Sequence, residues 1–110
     1  MEDKEKALQR IRAGQFRENN GRVLKTINLL RTQFVRLKDV HTALQPIEAG
    51  AMLDSVNYLQ ESGYIHLRST ETREMILLAD ARDYQMLEAK LTGKGIRLLE
   101  GSEKDAVVVV

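Results

Sequence analysis

The chain contains no cysteine, and this absence removes several kinds of chemistry at once. Without thiols there are no disulfides, no thiolate metal sites and no cysteine nucleophile. Tryptophan is also absent, and the chain has only three tyrosines and two phenylalanines. The core must therefore consist mainly of Leu, Ile, Val and Met, and at 110 residues we expect one domain.

Long apolar segments are missing as well. No stretch approaches the ~20 apolar residues that a membrane-spanning helix requires. The first residues, Glu2 to Lys6, are all charged and lack the apolar segment of a signal peptide. We therefore expect a cytoplasmic protein without a membrane partner.

Charge is unevenly distributed, although the net charge is only +1. Residues 1–38 carry ten Lys and Arg against four Asp and Glu, whereas residues 39–110 carry seven against twelve. Such asymmetry suggests one face for an acidic partner and another for a different contact. It is equally consistent with attraction between the two halves, within one fold or between two copies.

The Gly93-Lys94-Gly95 segment raises the question of a phosphate-binding loop. Such a loop needs Ser or Thr after the lysine, to hold magnesium, but this chain has Gly95 there. Glu88, five residues before Gly93, would repel a phosphate. Instead, Thr92 is a good helix cap and Gly101 a good helix stop, so we predict a helix over 92–100. No cofactor is predicted.

The spacing of apolar residues predicts further helices. We expect a short helix over 3–12, a loop over 13–21, and a longer helix from residue 22. The apolar stripe of that longer helix, which we assign to the core, is Val23, Ile27, Leu30 and Phe34. A helix over 37–45 should end at Pro46, and its inward residues should be Leu37, Val40, Ala43 and Leu44. A further helix over 47–62 should end at Gly63, and its inward residues should be Met52, Val56 and Leu59.

After Gly63 the pattern changes to short alternating segments typical of strands. We predict strands over 64–68, with Ile65 and Leu67 inward, over 75–80, and over 84–91. The last has an imperfect pattern that allows a bulge, with Met86 inward and Ala89 and Leu91 as further inward candidates. The fold class is therefore α+β. The expected organisation is an N-terminal helix and loop over 1–21, a domain over 22–101 and a tail over 102–110.

Two segments, "LQESGYIHLR" (59–68) and "AKLTGKGIRLLEG" (89–101), carry a resemblance to a known family. Together with the order of elements, they resemble winged helix-turn-helix proteins and, more loosely, small winged-helix proteins of Mu-like prophages. The resemblance implies a three-helix core, a short antiparallel β-wing, an extra N-terminal helix and a closing C-terminal helix. It also implies a DNA-binding transcriptional regulator that acts by occupying a site, and not an enzyme.

The same resemblance implies which residues contact DNA. The helix over 47–62 would enter the major groove, with Ala51, Asp54, Ser55 and Tyr58 outward. The candidate DNA contacts are Arg36, Lys38, Ser55, Asn57, Tyr58, Arg68 and Arg73. Two alternatives remain open: the wing arginines could lie in a solvated turn, and Tyr58 could pack over the strands.

The helix over 47–62 departs from the family's pattern. It contains Glu48, Asp54 and Glu61 and neither Lys nor Arg. Because DNA affinity comes mainly from neutralising phosphates, a helix of net negative charge is repelled by the duplex unless flanking cations outweigh it. The alternative function is a protein-interaction module whose acidic third helix binds a protein partner.

No catalytic or metal site is predicted. His41 and His66 lie 25 residues apart without ligand-like spacing, and Asp80 and Asp83 around Arg82 are typical of a turn.

Self-association is the remaining expectation. The resemblance implies a homodimer through terminal helices, here 3–12 and 92–100, although a frayed N-terminus is equally compatible with the first segment. The strand-forming tail 106–110 could pair with a sheet edge in its own chain or in a neighbour.

Overall fold

The strand Leu87–Leu91 determines how the sheet is built. Its odd-numbered residues, Leu87, Ala89 and Leu91, are buried against the helices, while Glu88 and Lys90 lie on the opposite face. This alternation is expected of a strand with one face on the core. The strand is central, with an antiparallel neighbour on each side.

The computed structural model describes residues 2–110. Its elements are helix α1 (Glu2–Asn28), strand β1 (Val35–Arg36), helices α2 (Leu37–Leu44) and α3 (Ala49–Glu61), strands β2 (Ile65–Ser69) and β3 (Leu87–Leu91), and helix α4 (Gly93–Glu100). The sheet order is β1-β3-β2. The α+β class is confirmed. None of the helices in the described part of the chain is long and apolar enough to cross a membrane.

Helix α1 is longer than the sequence pattern predicts. The expected loop over 13–21 is wrong, because the helix continues through Gly14 and Gly21 and ends at Asn28. A glycine weakens a helix by about 1 kcal/mol, which tertiary packing can outweigh. The predicted stripe holds only in part, since Val23 and Ile27 are buried, whereas Leu30 and Phe34 lie beyond the helix. Leu30 is 53% exposed, and Phe34 is half-buried against Arg68 instead of in the core.

The remaining helices follow the prediction closely. The expected inward residues of α2 and α3 are buried, except Ala43, which is exposed. At α4, the Thr92 hydroxyl accepts a hydrogen bond from the Gly95 N–H at 3.1 Å, and Gly101 ends the helix with φ of 89°. Gly95 permits close packing, because a Cβ there would lie 2.2 Å from the Tyr64 carbonyl oxygen. The Gly-Lys-Gly segment therefore begins a helix.

The strand predictions need three corrections. Strand β1 was not predicted, because two residues are too short to show a period. The segment 75–80 is not a strand: Met75 forms a single bridge with Arg68, and a 3₁₀ turn follows at Leu78–Asp80. Met86 belongs to a second 3₁₀ turn and is exposed, so Leu87 takes the inward position expected for it.

The C-terminal tail adds no strand to the described sheet and instead lies against α1. Val108 is buried, the Val109 N–H donates to the Arg17 carbonyl at 3.1 Å, and the buried Asn20 amide donates to the Val107 carbonyl at 2.9 Å. A Cβ on Gly21 would lie only 1.7 Å from the Val109 carbonyl oxygen. Gly21 therefore permits the tail to approach the helix.

The two glycines of α1 should respond oppositely to alanine. Gly14→Ala should raise the free energy of unfolding by about 0.5–1 kcal/mol, because its Cβ meets nothing within 4 Å. Gly21→Ala should lower it by about 1–3 kcal/mol, because the Cβ collides with the tail. Urea unfolding followed by far-UV circular dichroism measures both, and equal effects at the two positions would contradict the docking of the tail.

A carboxylate fixes the beginning of the tail. Asp105 Oδ2 accepts hydrogen bonds from the hydroxyls of Tyr58 at 2.7 Å and Tyr64 at 2.8 Å, and Oδ1 accepts from the Val107 N–H at 2.8 Å. Burial raises the pKa of Asp105, but the hydrogen bonds outweigh burial, so its pKa lies below the ordinary value. Burial and the bond to Asp105 raise the pKa of both tyrosines.

This contact should be sensitive to acid. A lowered carboxyl pKa contributes stability above the unfolded-state value of about 3.9, and that contribution is lost as pH falls through the folded-state pKa. Asp105→Asn should therefore be less stable than wild type at neutral pH, with the difference shrinking below about pH 4. Urea midpoints across this range test the effect. The exposed Asp80→Asn is the control, and a similar pH dependence there would contradict the assignment to Asp105.

Candidate functional site

The outer face of the sheet collects basic side chains from all three strands. Cross-strand pairing places Arg36 of β1, Glu88 of β3 and Arg68 of β2 in one row, with His66 and Lys90 in the next row. The residues that make up this cationic sheet face are Phe34, Arg36, His66, Arg68, Arg73, Glu88 and Lys90. Side chains two residues apart on a strand share a face. The pairing register of the three strands therefore brings together the members that lie on strands, which are Arg36, His66, Arg68, Glu88 and Lys90.

Glu88 is the negative centre of the cationic sheet face. Its side chain is only 10% exposed, and its Oε1 forms an ion pair with Nε of Arg68. Nη1 of Arg73 lies 3.9 Å from the same oxygen. A nearly buried carboxylate is tolerated because it is paired and hydrogen-bonded, and it offsets the repulsion between the two arginines.

Phe34 supports the same arginine from another side. The Arg68 guanidinium carbon lies 3.8 Å from the Phe34 ring centroid, and Lys90 Nζ lies 6.0 Å from it. Both distances fall within the range of cation–π attraction. Arg68 is therefore held by the ring and by Glu88, and little side-chain freedom remains to be lost on binding a ligand.

Arg73 reaches the cationic sheet face from a tight turn after β2. Its N–H donates to the Ser69 carbonyl at 3.0 Å, and its backbone has φ of 62°, a conformation that non-glycine residues seldom adopt. Its side chain is 68% exposed. The turn thus places a solvent-accessible cation beside Glu88.

The cationic sheet face carries a positive excess. Arg36, Arg68, Arg73 and Lys90 are opposed within it by the single carboxylate of Glu88. Three positive charges remain uncompensated inside this group when His66 is neutral. A surface of this kind can attract a phosphate or a carboxylate polymer.

The solvent face of α3 has the opposite character. Its exposed positions include Asp54, Asn57 and Glu61, and the helix contains no basic residue. Of the residues predicted to face a DNA groove, Asp54 and Asn57 are exposed as expected, and Ala51 is partly buried. The exposed positions of α3 therefore contrast in charge with the basic residues of the sheet.

Ser55 and Tyr58 do not point outward as predicted. Ser55 is fully buried, and its hydroxyl has no protein partner in the described part of the chain. Tyr58 is half-buried, bonded to Asp105 and in edge contact with Phe16 of α1, with ring centroids 5.6 Å apart. The prediction was wrong because α1 is longer than expected and packs over this side of α3.

The structure thus separates the seven candidate DNA contacts. Arg36, Arg68 and Arg73 converge on the cationic sheet face, and Lys38 is exposed in the first turn of α2, two residues after Arg36. Sequence reasoning missed Glu88, Lys90 and Phe34. Alternation along residues 87–91 would have placed Glu88 and Lys90 beside Arg36 and Arg68 if the register had been correct.

The two histidines lie in different surroundings. His41 is half-buried, with Nδ1 3.1 Å from the Tyr84 hydroxyl and Nε2 2.9 Å from the Ile47 carbonyl oxygen. His66 is exposed on the cationic sheet face. Within residues 2–110, no group of three or more His, Asp or Glu residues is arranged to hold a metal ion.

The Glu88 contact should matter more for stability than a surface ion pair. Glu88→Gln should lower the free energy of unfolding by about 1–3 kcal/mol, because the partly buried Arg68 loses its charged acceptor. Glu100→Gln is the matched control, since its pair with Arg31 is exposed and should contribute below about 1 kcal/mol. Urea unfolding distinguishes the two, and equal losses would contradict a special role for Glu88.

Comparison of the chain with protein-family models, curated proteins and solved structures found no match.

Proposed function

We propose that the protein is a winged-helix DNA-binding protein that contacts the phosphate backbone with its cationic sheet face. The order helix, short strand, two helices, two longer strands and helix supports a winged helix, with the connection 70–86 as the wing. The observation that carries the function is that one face of the sheet presents Arg36, Arg68, Arg73 and Lys90, of which Arg68 and Arg73 lie beside the single carboxylate of Glu88.

The chemistry of this surface suits a polymer of phosphates. Arginine presents several N–H donors in a planar fork that matches phosphate oxygens, and lysine adds a mobile point charge. Each phosphate neutralised on duplex DNA releases condensed counterions, which drives binding at low salt. With three uncompensated charges, we expect log K to fall with log salt at a slope of about −3.

This mode of binding does not use α3 to read bases. A duplex docked on α3 would face Asp54 and Glu61, and no cation of that helix would offset their repulsion. Contacts to phosphate position a protein on DNA without conveying sequence information. The protein would therefore act by occupying DNA, with weak sequence preference and no chemical step, as a regulator of transcription could.

A second function is favoured by the acidic surface of α3. Asp54, Asn57 and Glu61 are exposed on this helix, and Leu53 beside them is half-buried. A basic protein partner would complement this surface, since opposite charges steer association. Under this alternative, the cationic sheet face would not determine binding.

Two double variants of equal charge test the DNA proposal. Arg36→Gln with Arg73→Gln removes two exposed cations from the cationic sheet face, whereas Arg22→Gln with Lys25→Gln removes two exposed cations from α1. The first pair should weaken binding to a short labelled duplex and reduce the salt slope by about 2. Fluorescence anisotropy across a salt series measures both quantities.

The control pair should leave most of the affinity and of the salt slope in place. Equal losses in the two double variants would mean that general charge, and not the cationic sheet face, attracts the duplex. If the wild type has no affinity at low salt, the DNA proposal fails and the α3 alternative gains. In that case, Asp54→Lys with Glu61→Lys should abolish binding to the protein partner.

A further inference from the structure

The outer face of the sheet carries exposed apolar side chains as well as cations. Met75 forms an antiparallel bridge with Arg68, and directly opposed residues in such a bridge have their side chains on the same face of the sheet. Met75 therefore extends the row of residues that crosses the sheet at Glu88. Its side chain is 61% exposed, so a large apolar group borders the cationic sheet face.

Two rings lie among the cations of the same face. Phe34 precedes Arg36 by two residues and shares its face, and its half-buried ring contacts the Arg68 guanidinium. His66 is exposed and is the cross-strand partner of Lys90. Aromatic and imidazole rings and arginine guanidinium planes are the groups on which unpaired nucleic-acid bases stack.

A cavity opens beside His66 at the free edge of β2. Its volume is about 360 Å³, and His66, Met75 and Leu77 contribute to its lining together with Ile65. Leu77 is 56% exposed. The cavity thus has apolar walls and an imidazole ring, and it lies next to the cationic sheet face.

The backbone of β2 offers hydrogen-bonding groups along the same edge. Peptide groups point alternately to the two sides of a strand, and the Leu67 carbonyl accepts from the Ile76 N–H at 3.1 Å on the side away from β3. The N–H and C=O of Ile65, two residues earlier, point to that side as well. Since β2 is an edge strand of the described sheet, one donor and one acceptor are directed toward the open edge there.

We infer that the cationic sheet face prefers a single-stranded polynucleotide to a duplex. The inference rests on the proposed function, because the same cations contact the phosphates in both cases. In a single strand, the flat apolar faces and the polar edges of the bases are free, and sheet surfaces with rings and cations bind them by stacking. Bases would contact His66, Met75 and Leu77, while the exposed Arg36 and Arg73 would contact phosphates.

A duplex uses less of this surface. Its bases are stacked inside, so the exposed side chains of Met75 and Leu77 would lie against sugars and phosphates without an apolar partner. The connection 70–86 also carries four acidic residues against two basic ones, so the positive charge does not extend along the wing. A duplex has twice the phosphate charge per unit length of one strand and would meet more of this repulsion.

The salt dependence should differ between the two forms. Each phosphate contact contributes about −0.7 to the slope of log K against log salt for a single strand and about −0.9 for a duplex. With three uncompensated charges on the cationic sheet face, the single strand should give a slope of about −2, compared with about −3 for the duplex. The remaining affinity for the single strand comes from stacking, which salt screens little.

Fluorescence anisotropy with three matched probes tests the inference. The probes are a labelled DNA strand of about 16 nucleotides, the same strand annealed to its complement, and an RNA strand of the same sequence. The wild type should bind at least one of the single strands about fivefold or more tighter than the duplex at the same salt concentration. The tighter of the two single strands identifies the preferred sugar.

A pair of apolar substitutions locates the contact. Met75→Ala with Leu77→Ala should weaken single-strand binding about fivefold or more and leave duplex affinity close to wild type. The matched control is Leu8→Ala with Ile11→Ala, which removes two side chains of similar exposure, 51% and 56%, from α1. The control should change neither affinity. Circular dichroism checks that all variants keep their helical content.

Substitution of His66 separates stacking from charge. His66→Ala removes the ring and should weaken single-strand binding, whereas His66→Phe keeps a ring without a titratable group and should bind close to wild type. Both variants lack the imidazole, so a difference between them reports on the ring face. Equal losses in the two variants would contradict stacking at this position.

The outcomes distinguish this inference from the proposed function. A duplex bound as tightly as both single strands, or equal effects of the Met75 and Leu77 pair and its control, would overturn the inference and leave the proposed function in place. No affinity for any of the three probes at low salt would end both. The Arg36→Gln with Arg73→Gln variant should weaken binding of all three, because it removes phosphate contacts that they share.

Discussion

The carboxylate of Glu88 is the contact on which the outer face of the sheet depends. Arg68 and Arg73 approach this part of the molecule from β2 and from a turn, and the carboxylate that they share offsets the repulsion between their charges. The carboxylate lies on the central strand β3 and pairs with Arg68 of β2 and with Arg73 of the turn that follows β2. Phe34 then fixes Arg68 from a second direction. The result is a positive surface whose geometry is determined before any ligand arrives.

The length of α1 explains why the candidate function moves from α3 to the sheet. The helix covers the side of α3 that carries Ser55 and Tyr58, and the tail secures this contact through Asp105. What remains open on α3 is acidic. The two elements therefore differ in role: α3 packs against the core, while the outer face of the sheet exposes the cations.

Local signals predicted much of the fold. Thr92 with Gly95, Gly63 after α3, and the spacing of the apolar residues in α2 and α3 are all contacts within or next to a single helix, so the sequence reveals them. The α1 prediction failed because its two interior glycines are outweighed by packing against distant residues. The β3 prediction held for Ala89 and Leu91, which are buried, and failed at Met86. Met86 and Leu87 are adjacent and both apolar, and only cross-strand pairing decides which one faces the core.

The candidate site was less predictable than the fold for a related reason. The sequence identifies Arg36, Arg68 and Arg73 as cations, but it does not reveal that three separate segments bring them to one face of the sheet, or that two of them pair with one carboxylate. From the sequence alone, a glutamate in a strand cannot be distinguished as solvated or nearly buried. Ser55 shows the opposite failure, since a polar residue that is expected at the surface lies in the core.

In the proposed complex, the sheet and not α3 meets the DNA backbone. The most direct measurement is an NMR titration of isotope-labelled protein with a short duplex at low salt, following the backbone amides and the arginine side chains. We expect the largest shifts at Arg36, Arg68, Arg73 and Lys90, and little change at Asp54 and Asn57. Shifts centred on α3, or no shifts at any residue, would contradict it.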